Sequence, residues 1–283
     1  MVKALVLGGG WAKGMAHIGV LRAFHEAGVE FDMVVGCSIG AIIGGFYAAG
    51  YSVPLIERIG REIAAAPTRE FLAPSFTPVE ILNSEKFENF LRRYVGDLKI
   101  EELPIRYVAN AYDILTHREV IVSSGSLMAA MRASASLPGI FEAITFRSVG
   151  MTLVDGGVVD PVPVRVARKL GADFVVAVNL LERFPKGEVE VKLPYFRRKK
   201  GIISDISRLL SIRRKNALRV MAESFTAYQG ALVEYLLEAN PPDVLIEPYT
   251  GDVGLLDFDL KNYENLRERG YRAAMDVLNR KVL

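Results

Sequence analysis

The sequence predicts a single α/β domain, residues 1–283, in which helices sandwich a mostly parallel sheet. Twice near the N-terminus, a short apolar run ends in glycine and is followed by a helical pattern, which is the element order of a parallel α/β fold. The run FVVAV at 174–178 is continuously apolar, as expected of a parallel strand that is buried on both faces. Hydrophobic residues make up 51% of the 283 positions, so the chain can form a large core and is not expected to be disordered.

The individual elements follow from apolar periodicity and from the glycines that end them. We predict strands at residues 5–7, 31–35, 105–111, 120–123, 153–154, 174–178 and 244–246. We predict helices over residues 16–27, 41–49, 127–133, 164–170, 206–214, 218–239 and 262–279. Residues 52–103 contain four prolines and helical patches such as 81–94 but no obvious strand, so we predict a helical insertion there.

Composition excludes several protein classes. The mean hydropathy is +0.22, but the chain has no run of about 18 uncharged apolar residues that could form a transmembrane helix. The first apolar run stops at Leu7 and is too short for the hydrophobic region of a signal peptide. The lone cysteine, Cys37, has no partner for a disulfide or a cysteine-based zinc site. We therefore expect a soluble, cytoplasmic protein.

Positive charge is concentrated in one basic segment, residues 186–219. This segment has eleven Lys or Arg and three Asp or Glu, whereas the rest of the chain has 24 basic and 30 acidic residues. Only Tyr195 and Phe196 adjoin the basic run, so the interleaved aromatic residues of nucleic-acid proteins are missing and no nucleic-acid partner is predicted. A stripe of Ile and Leu in the segment fits either a helix that packs on the core or one that lies on an anionic membrane surface. The second alternative makes the protein peripheral to the inner face of a membrane.

Gly36-Cys37-Ser38-Ile39-Gly40 matches the pattern G-x-S-x-G between a predicted strand and a predicted helix. In this context the pattern indicates a nucleophile elbow, a sharp turn that exposes the serine hydroxyl. Both glycines are required, because a Cβ at either position would strike the strand or the helix. Ser38 is therefore the candidate nucleophile. Cys37 is the rival nucleophile, but it occupies the variable position that the turn directs away from the site, so we interpret it as structural.

A serine nucleophile requires a base, and the sequence offers more than one. Asp155 follows an apolar strand and precedes Gly156, where a backbone or a substrate can approach closely, and Asp160 is the weaker candidate. No histidine follows His117 in the chain, so a triad in the order serine, acid, histidine would need His117 in the last role. A free aspartate has a pKa of about 3.9, so a base at Asp155 also requires burial that raises its pKa.

A third motif, GGGWAKG at residues 8–14, connects the first strand to the first helix. Consecutive glycines let backbone N–H groups converge on one point, which suits an oxyanion or a phosphate. Lys13 is followed by Gly14 rather than by Ser or Thr, so the P-loop pattern fails, and Lys13 also stands where G-x-G-x-x-G requires its last glycine. Because a serine elbow follows one βα unit later, we interpret the motif as an oxyanion loop.

Four segments resemble, in this order, the bacterial patatin-like phospholipases: GGGWAKGMAHIGVL, GCSIGAIIGGFYAAG, ASASLPGIF and LVDGGVVDPVPVRVARKLGADFVVAV. The resemblance extends from residue 2 to about residue 180 and, more loosely, over 243–278. It implies a hydrolase of lipid acyl esters with a Ser-Asp dyad, without a metal or another cofactor. Carried over by motif, the nucleophile falls on Ser38 and the base on Asp155.

The resemblance also implies the supporting residues of the site. The oxyanion amides fall on Gly9 and Gly10, with Trp11 beside them. Trp11 stands where the family usually has a third glycine, which keeps the backbone N–H but places an indole next to the site. Lys13 matches the family's basic position, with a solvated lysine at the helix start as the alternative, and Gly156 is a further supporting residue.

Together these residues predict two-step acyl transfer to water by a phospholipase A, a lysophospholipase or a carboxylesterase. One alternative is an acyltransferase, which passes the acyl group to an alcohol or a thiol. The other is a catalytically silent, lipid-binding regulatory protein, although the intact Ser38, Asp155 and glycine loop argue against it. We further expect the insertion at 52–103 to wall the acyl pocket, with plain core packing as the alternative.

Overall fold

The computed structural model describes residues 1–65, 84–182, 206–254 and 257–280, without the side chains of residues 206–219 and 221–222. Within them the strands are β1 Lys3–Leu7, β2 Met33–Gly36, β3 Arg106–Asp113, β4 Arg118–Val122, β5 Ile144–Phe146, β6 Met151–Asp155, β7 Phe174–Val178 and β8 Val244–Ile246. The α-helices are α1 Met15–Glu26, α2 Ile39–Ala48, α3 Val53–Ala65, α4 Ser84–Val95, α5 Leu127–Ser134, α6 Val164–Lys169, α7 Ile206–Ala239 and α8 Leu260–Asn279. Short 3-10 turns at Trp11–Gly14 and Gly156–Val158 lie near the ends of β1 and β6.

The strands form one mostly parallel sheet. Their order is β5-β6-β3-β2-β1-β7-β8, and β4 pairs with β3 beside this path. The pairings of β1 with β2 and β7, of β2 with β3 and of β7 with β8 are parallel. The pairings that involve β4, β5 and β6 are antiparallel. The predicted α/β class with a parallel-dominated sheet is confirmed.

Strand β3 brings two strand ends face to face. Ala109 pairs with Gly36 of β2 and also with β4, so β2 and β4 lie on opposite edges of β3. Ala111 pairs with β4 and also with Asp155 of β6, so β6 continues the edge that β2 occupies. Because β2 runs parallel and β6 antiparallel to β3, the carboxyl ends of β2 and β6 point at each other. Residues that follow these two ends must therefore meet.

Helices cover both faces of the sheet, as the alternation along β1 shows. Leu5 and Leu7 are buried in a core with α1, α2, α3 and α8. Ala4 and Val6 are buried in a second core with α6 and the C-terminal part of α7. Successive strand residues point to opposite faces, so a strand buried on both faces needs a continuous apolar run. That requirement explains the uninterrupted ALVL of β1.

Most predicted elements are present, and the differences have local causes. The three residues of β5 are only partly buried or exposed and are too few to give an alternating pattern. Helix α7 is continuous where the sequence predicts two helices, because Lys215-Asn216-Ala217 contains no Pro or Gly to stop it. The insertion at 52–103 contains α3 and α4, and its described part has no strand.

Two predictions fall partly or wholly outside the described residues. Residues 66–83 of the insertion are not described. Of the basic segment, residues 186–205 and the side chains of 206–219 are not described, so its membrane contact stays a prediction. None of the described helices combines the length and the apolarity that crossing a bilayer requires.

Candidate active site

Ser38 lies in a strained turn between β2 and α2. Its φ of 55° and ψ of −123° are outside the regions that residues with a side chain favour. A Cβ on Gly36 would lie 2.4 Å from Ala41 Cα, and one on Gly40 would lie 2.1 Å from the carbonyl oxygen of Leu7. Only glycine fits at these two positions. The turn is therefore fixed by backbone contacts and has the geometry of a nucleophile elbow.

The structure brings Ser38 and Asp155 together. Ser38 Oγ donates a hydrogen bond of 2.6 Å to Asp155 Oδ2. The Ser38 N–H donates to Ser134 Oγ at 2.9 Å, and Ser38 is buried. The pairing follows from the facing strand ends, because Ser38 comes two residues after β2 and Asp155 is the last residue of β6.

Asp155 forms two further hydrogen bonds with backbone groups. Its Oδ1 accepts from the Gly157 N–H at 2.7 Å, and its own N–H donates to the carbonyl oxygen of Ser136 at 2.9 Å. Asp155 is only 1% exposed, and this burial raises its pKa to about 7, although the bonds from Ser38 and Gly157 lower it. A carboxyl group with a pKa near neutrality can accept a proton from Ser38 and release it again.

Two rival residues are placed differently. Cys37 is fully buried with its Sγ 4.0 Å from Asp155 Oδ1, and burial raises the pKa of its thiol well above the usual value. His117 contacts the hydroxyl of Tyr112 through Nδ1 at 3.3 Å. The described contacts thus pair the Ser38 hydroxyl with Asp155 and not with a histidine.

The weaker base candidate, Asp160, is also buried but lies in another environment. Burial and the nearby Glu119 together raise its pKa to about 7, against the lowering effect of Arg165. Its Oδ2 forms an ion pair of 3.7 Å with Arg165. The Asp160 carbonyl accepts from Asn110 Nδ2 at 2.9 Å. Asp160 is therefore part of the support behind the site.

The glycine loop passes close to the nucleophile, because a Cβ on Gly9 would lie 3.6 Å from Ser38 Cβ. The Gly9 N–H donates to the carbonyl oxygen of Pro161 at 2.9 Å, so the expectation that it donates to an oxyanion does not fit this structure. The Gly10 and Trp11 amides make no hydrogen bond with described residues. Of the three residues expected in the oxyanion hole, only Gly10 and Trp11 keep an amide for that role.

The remaining residues of the predicted site are packed beneath these loops. Lys13 is 5% exposed, so it is not a solvated lysine, and burial lowers its pKa against the opposing effect of nearby carboxylates. A Cβ on Gly156 would lie 2.3 Å from Asn110 Oδ1. The buried His17 lies with Nε2 2.8 Å from the Gly8 carbonyl oxygen. Burial lowers the pKa of His17 to about 4, so its neutral ring donates to the loop.

Sequence reasoning missed the residues that hold Ser38 and Asp155 from the end of α5 and the residues that follow it. Ser134 accepts the Ser38 N–H, and the Ser136 carbonyl accepts the Asp155 N–H. Arg132 is buried and donates from Nη1 to Ser136 Oγ at 2.5 Å. The signal was present in the block ASASLPGIF, where small polar residues follow a helix.

A second missed contact comes from α7. Gln229 is buried, and its Nε2 donates to the Gly157 carbonyl oxygen at 3.0 Å. The Gly157 N–H in turn donates to Asp155 Oδ1. No spacing or motif connects Gln229 with a residue 72 positions earlier, so the sequence offers no signal for this contact.

More than half of the chain matches a known protein family. The sequence profile described as Patatin-like phospholipase matches residues 5–168, a range that contains Ser38, Asp155 and the glycine loop. The chain belongs to the patatin-like phospholipase family. An uncharacterized NTE family protein of Mycobacterium tuberculosis is 38% identical over 177 residues, which are 62% of this chain and 48% of that protein. The chain thus spans about half the length of this relative.

Other members of the patatin-like phospholipase family are much longer. Patatin-like phospholipase domain-containing protein 6 of Homo sapiens is 36% identical over 180 residues, or 62% of this chain and 13% of that protein. Lysophospholipase NTE1 of Yarrowia lipolytica is 36% identical over 179 residues, or 62% of this chain and 12% of that protein. Among solved structures, VipD from Legionella pneumophila covers 98% of this chain and 67% of its own, with a TM-score of 0.58 and 15% identity. That likeness concerns the fold.

Proposed function

We propose that this member of the patatin-like phospholipase family is a serine lipid acyl hydrolase of the phospholipase A, lysophospholipase or carboxylesterase type. The hydrogen bond of 2.6 Å from Ser38 Oγ to Asp155 Oδ2 carries the proposal. An aspartate can act as a base near neutral pH when its pKa is raised, and burial raises that of Asp155 to about 7. The family name and the name of the Yarrowia lipolytica relative support a lipid ester as the substrate.

In the first step, Asp155 takes the Ser38 proton while Ser38 Oγ attacks the carbonyl carbon of the ester. The N–H groups of Gly10 and Trp11 donate to the oxyanion that forms. The bond to the alcohol oxygen then breaks, the alcohol leaves with the proton held by Asp155, and the acyl group stays on Ser38. In the second step, Asp155 takes a proton from water as the water oxygen attacks the acyl group. The acid leaves, and the proton returns to Ser38.

The test is the loss of hydrolysis in Ser38→Ala and Asp155→Asn, measured from short p-nitrophenyl esters to lysophospholipid and diacylphospholipid. Each variant should lose activity by about a thousandfold or more, and the double variant should lose little more than either, because the two residues act as one unit. Circular dichroism should show that both variants are folded.

Cys37→Ala is the matched control, since it removes the neighbouring nucleophile and should retain hydrolysis. A fluorophosphonate should label the wild type at Ser38 and leave Ser38→Ala unlabelled, as read by peptide mass. Near-normal activity of Asp155→Asn together with loss of activity in His117→Ala would contradict the dyad.

A further inference from the structure

The buried residues around Trp11 form an aromatic cluster that is separate from the two cores, although Phe87 and Phe258 at its edge also pack against the first core. The Phe141 ring stacks on Trp11 with centroids 5.4 Å apart and on Phe87 with centroids 4.9 Å apart. Phe258 meets Trp11 edge-on at 6.4 Å. We call this set the Trp11 cluster; it comprises Trp11, Leu137, Ile140 and Phe141, with Phe87, Phe225 and Phe258 packed against them.

Two segments that contact Ser38 also carry residues of the Trp11 cluster. Trp11 is two residues from Gly9, at which a Cβ would lie 3.6 Å from Ser38 Cβ. Phe141 belongs to the segment that starts at Ser134, the residue that binds the Ser38 N–H. A hydrocarbon chain attached to Ser38 through an ester would therefore be close to these rings.

The surface that the cluster offers is apolar. Arg132 stacks on the Phe141 ring at 5.1 Å, but its guanidinium is occupied by Ser136 Oγ and by the carbonyl oxygen of Glu142. A charged head group therefore gains nothing here, whereas an acyl chain gains apolar contact. The chemical class of ligand that the Trp11 cluster suits is a hydrocarbon chain.

Trp11 itself occupies an unfavourable position. Its φ of 54° is one that glycine adopts without strain. Its indole is 9% exposed, and the Nε1–H has no hydrogen-bond partner among the described residues, which is a costly state for a buried donor. Catalysis needs only the backbone N–H at this position, which glycine would supply as well. The strain and the unpaired donor therefore point to a role for the indole.

We infer that Trp11 closes the acyl-chain site and thereby limits the length of the acyl group that the enzyme accepts, an inference that rests on the proposed hydrolase function. The indole is packed against two rings and almost fully buried, so it fills space beside the glycine loop that passes Ser38. Replacement by glycine leaves a cavity of indole size that is continuous with the site. Longer acyl chains then fit without displacing a packed ring.

Trp11→Gly tests this inference, because it keeps the amide and removes the backbone strain. The ratio of kcat/KM for palmitoyl over butyryl esters should rise by about tenfold or more, the size of effect that pocket shape gives. Trp11→Phe should raise the same ratio by a smaller factor. It replaces Trp11→Gly as the test if the glycine variant does not fold. An unchanged ratio in a folded Trp11 variant would overturn the inference.

Phe31→Leu is the matched control. Phe31 is 5% exposed and packs on Phe24 with ring centroids 5.2 Å apart, but it precedes the amino end of β2, away from Ser38. This variant should lose stability but leave the ratio of kcat/KM for palmitoyl over butyryl esters unchanged. A similar rise in Phe31→Leu would mean that general loosening causes the effect, and would overturn the role given to Trp11.

The indole also provides a readout that does not depend on turnover, since Trp11 is the only tryptophan in the chain. Alkyl fluorophosphonates of increasing length should label Ser38 and change the Trp11 emission once the alkyl chain reaches the cluster. Labelling without any change in emission, at every length, would overturn this inference and leave the hydrolase proposal intact. Absence of labelling would overturn both.

Discussion

Ser38 and Asp155, the proposed catalytic pair, are held in different ways. Around Ser38, close packing of backbone atoms fixes the turn, because Gly36 and Gly40 lie against strand and helix without room for a Cβ, and the Ser134 hydroxyl accepts the Ser38 N–H. Around Asp155, the contacts are hydrogen bonds from other segments, and one of them depends on the side chain of Gln229 on α7. The proposed nucleophile therefore depends mainly on backbone packing, and the proposed base depends on hydrogen bonds from other segments.

This difference follows from what each residue must do. Ser38 is held at φ 55°, and such a conformation persists only where the surroundings leave no alternative. Asp155 must stay buried enough to keep a raised pKa, yet it must exchange a proton in each step. Substitutions near Ser38 should therefore abolish folding or activity, whereas substitutions near Asp155 should give graded effects.

The largest expected effect comes from Gly40→Ala compared with Gly157→Ala. A Cβ on Gly40 would lie 2.1 Å from the carbonyl oxygen of Leu7, so α2 must separate from β1. We expect a loss of more than about 4 kcal/mol in the free energy of unfolding, or no folded protein. A Cβ on Gly157 would lie 2.3 Å from Gln229 Nε2, which is the end of a flexible side chain.

Gly157→Ala should therefore fold, with a loss of about 1 kcal/mol for the displaced hydrogen bond. Chemical denaturation measures both variants. Equal losses in the two variants would contradict the contrast between a rigid nucleophile turn and an adjustable base loop.

The nucleophile side is also the part that sequence predicts well. A Cβ on Gly36 would strike Ala41 within the same turn, so the demand for glycine there is a local steric effect and the pattern around Ser38 reveals the turn. The same holds for the helix ends at Gly28 and Gly50, where φ is positive. The fold class follows from the same local signals, because apolar runs and glycine turns alternate along the chain.

The base side is predicted less completely, because its contacts join residues far apart in the chain. Asp155 could be proposed from its strand end, but the antiparallel direction of β6 could not. The bond from the Gly9 N–H to Pro161 joins residues in separate segments, and no spacing predicts it, so the sequence could not show that the Gly9 amide already has a partner. The contact between Gln229 and Gly157 likewise joins residues far apart in the chain, so the sequence does not predict it.

The second prediction concerns the pH dependence that buried Asp155 creates. Its pKa is about 7 in the folded protein, well above the 3.8 of an unperturbed aspartate, so the folded state binds the proton more tightly. Stability contributed by this proton is present at acidic pH and is lost as pH rises from about 4 through about 7. Asp155→Asn should abolish this loss, and above pH 7 it should be more stable than the wild type by up to about 4 kcal/mol.

Activity should change in the opposite direction with pH. The value of kcat/KM should rise as pH increases through about 7, because the base must be ionised. Asp160→Asn is the matched control, since burial raises the pKa of Asp160 to about 7 as well but its carboxylate does not contact Ser38. This variant should keep both the activity and the rise of kcat/KM with pH. Loss of that rise in Asp160→Asn would assign the base to Asp160.

The smallest effect is expected from Gln229→Ala, which tests whether α7 positions the base. The variant removes the bond to the Gly157 carbonyl oxygen, so the Gly157 N–H is held less firmly against Asp155. We expect kcat to fall about tenfold, which corresponds to ~1.4 kcal/mol, with little change in KM and a shift in the pH at which kcat/KM rises.

Tyr228→Phe is the matched control, because the half-exposed Tyr228 also donates a hydrogen bond of 3.0 Å from α7, but to the carbonyl oxygen of Val158. Steady-state kinetics across pH should find Tyr228→Phe close to the wild type. If both variants lost the same activity with unchanged pH profiles, α7 would only stabilise the loop, and the dependence of Asp155 on a distant side chain would be wrong.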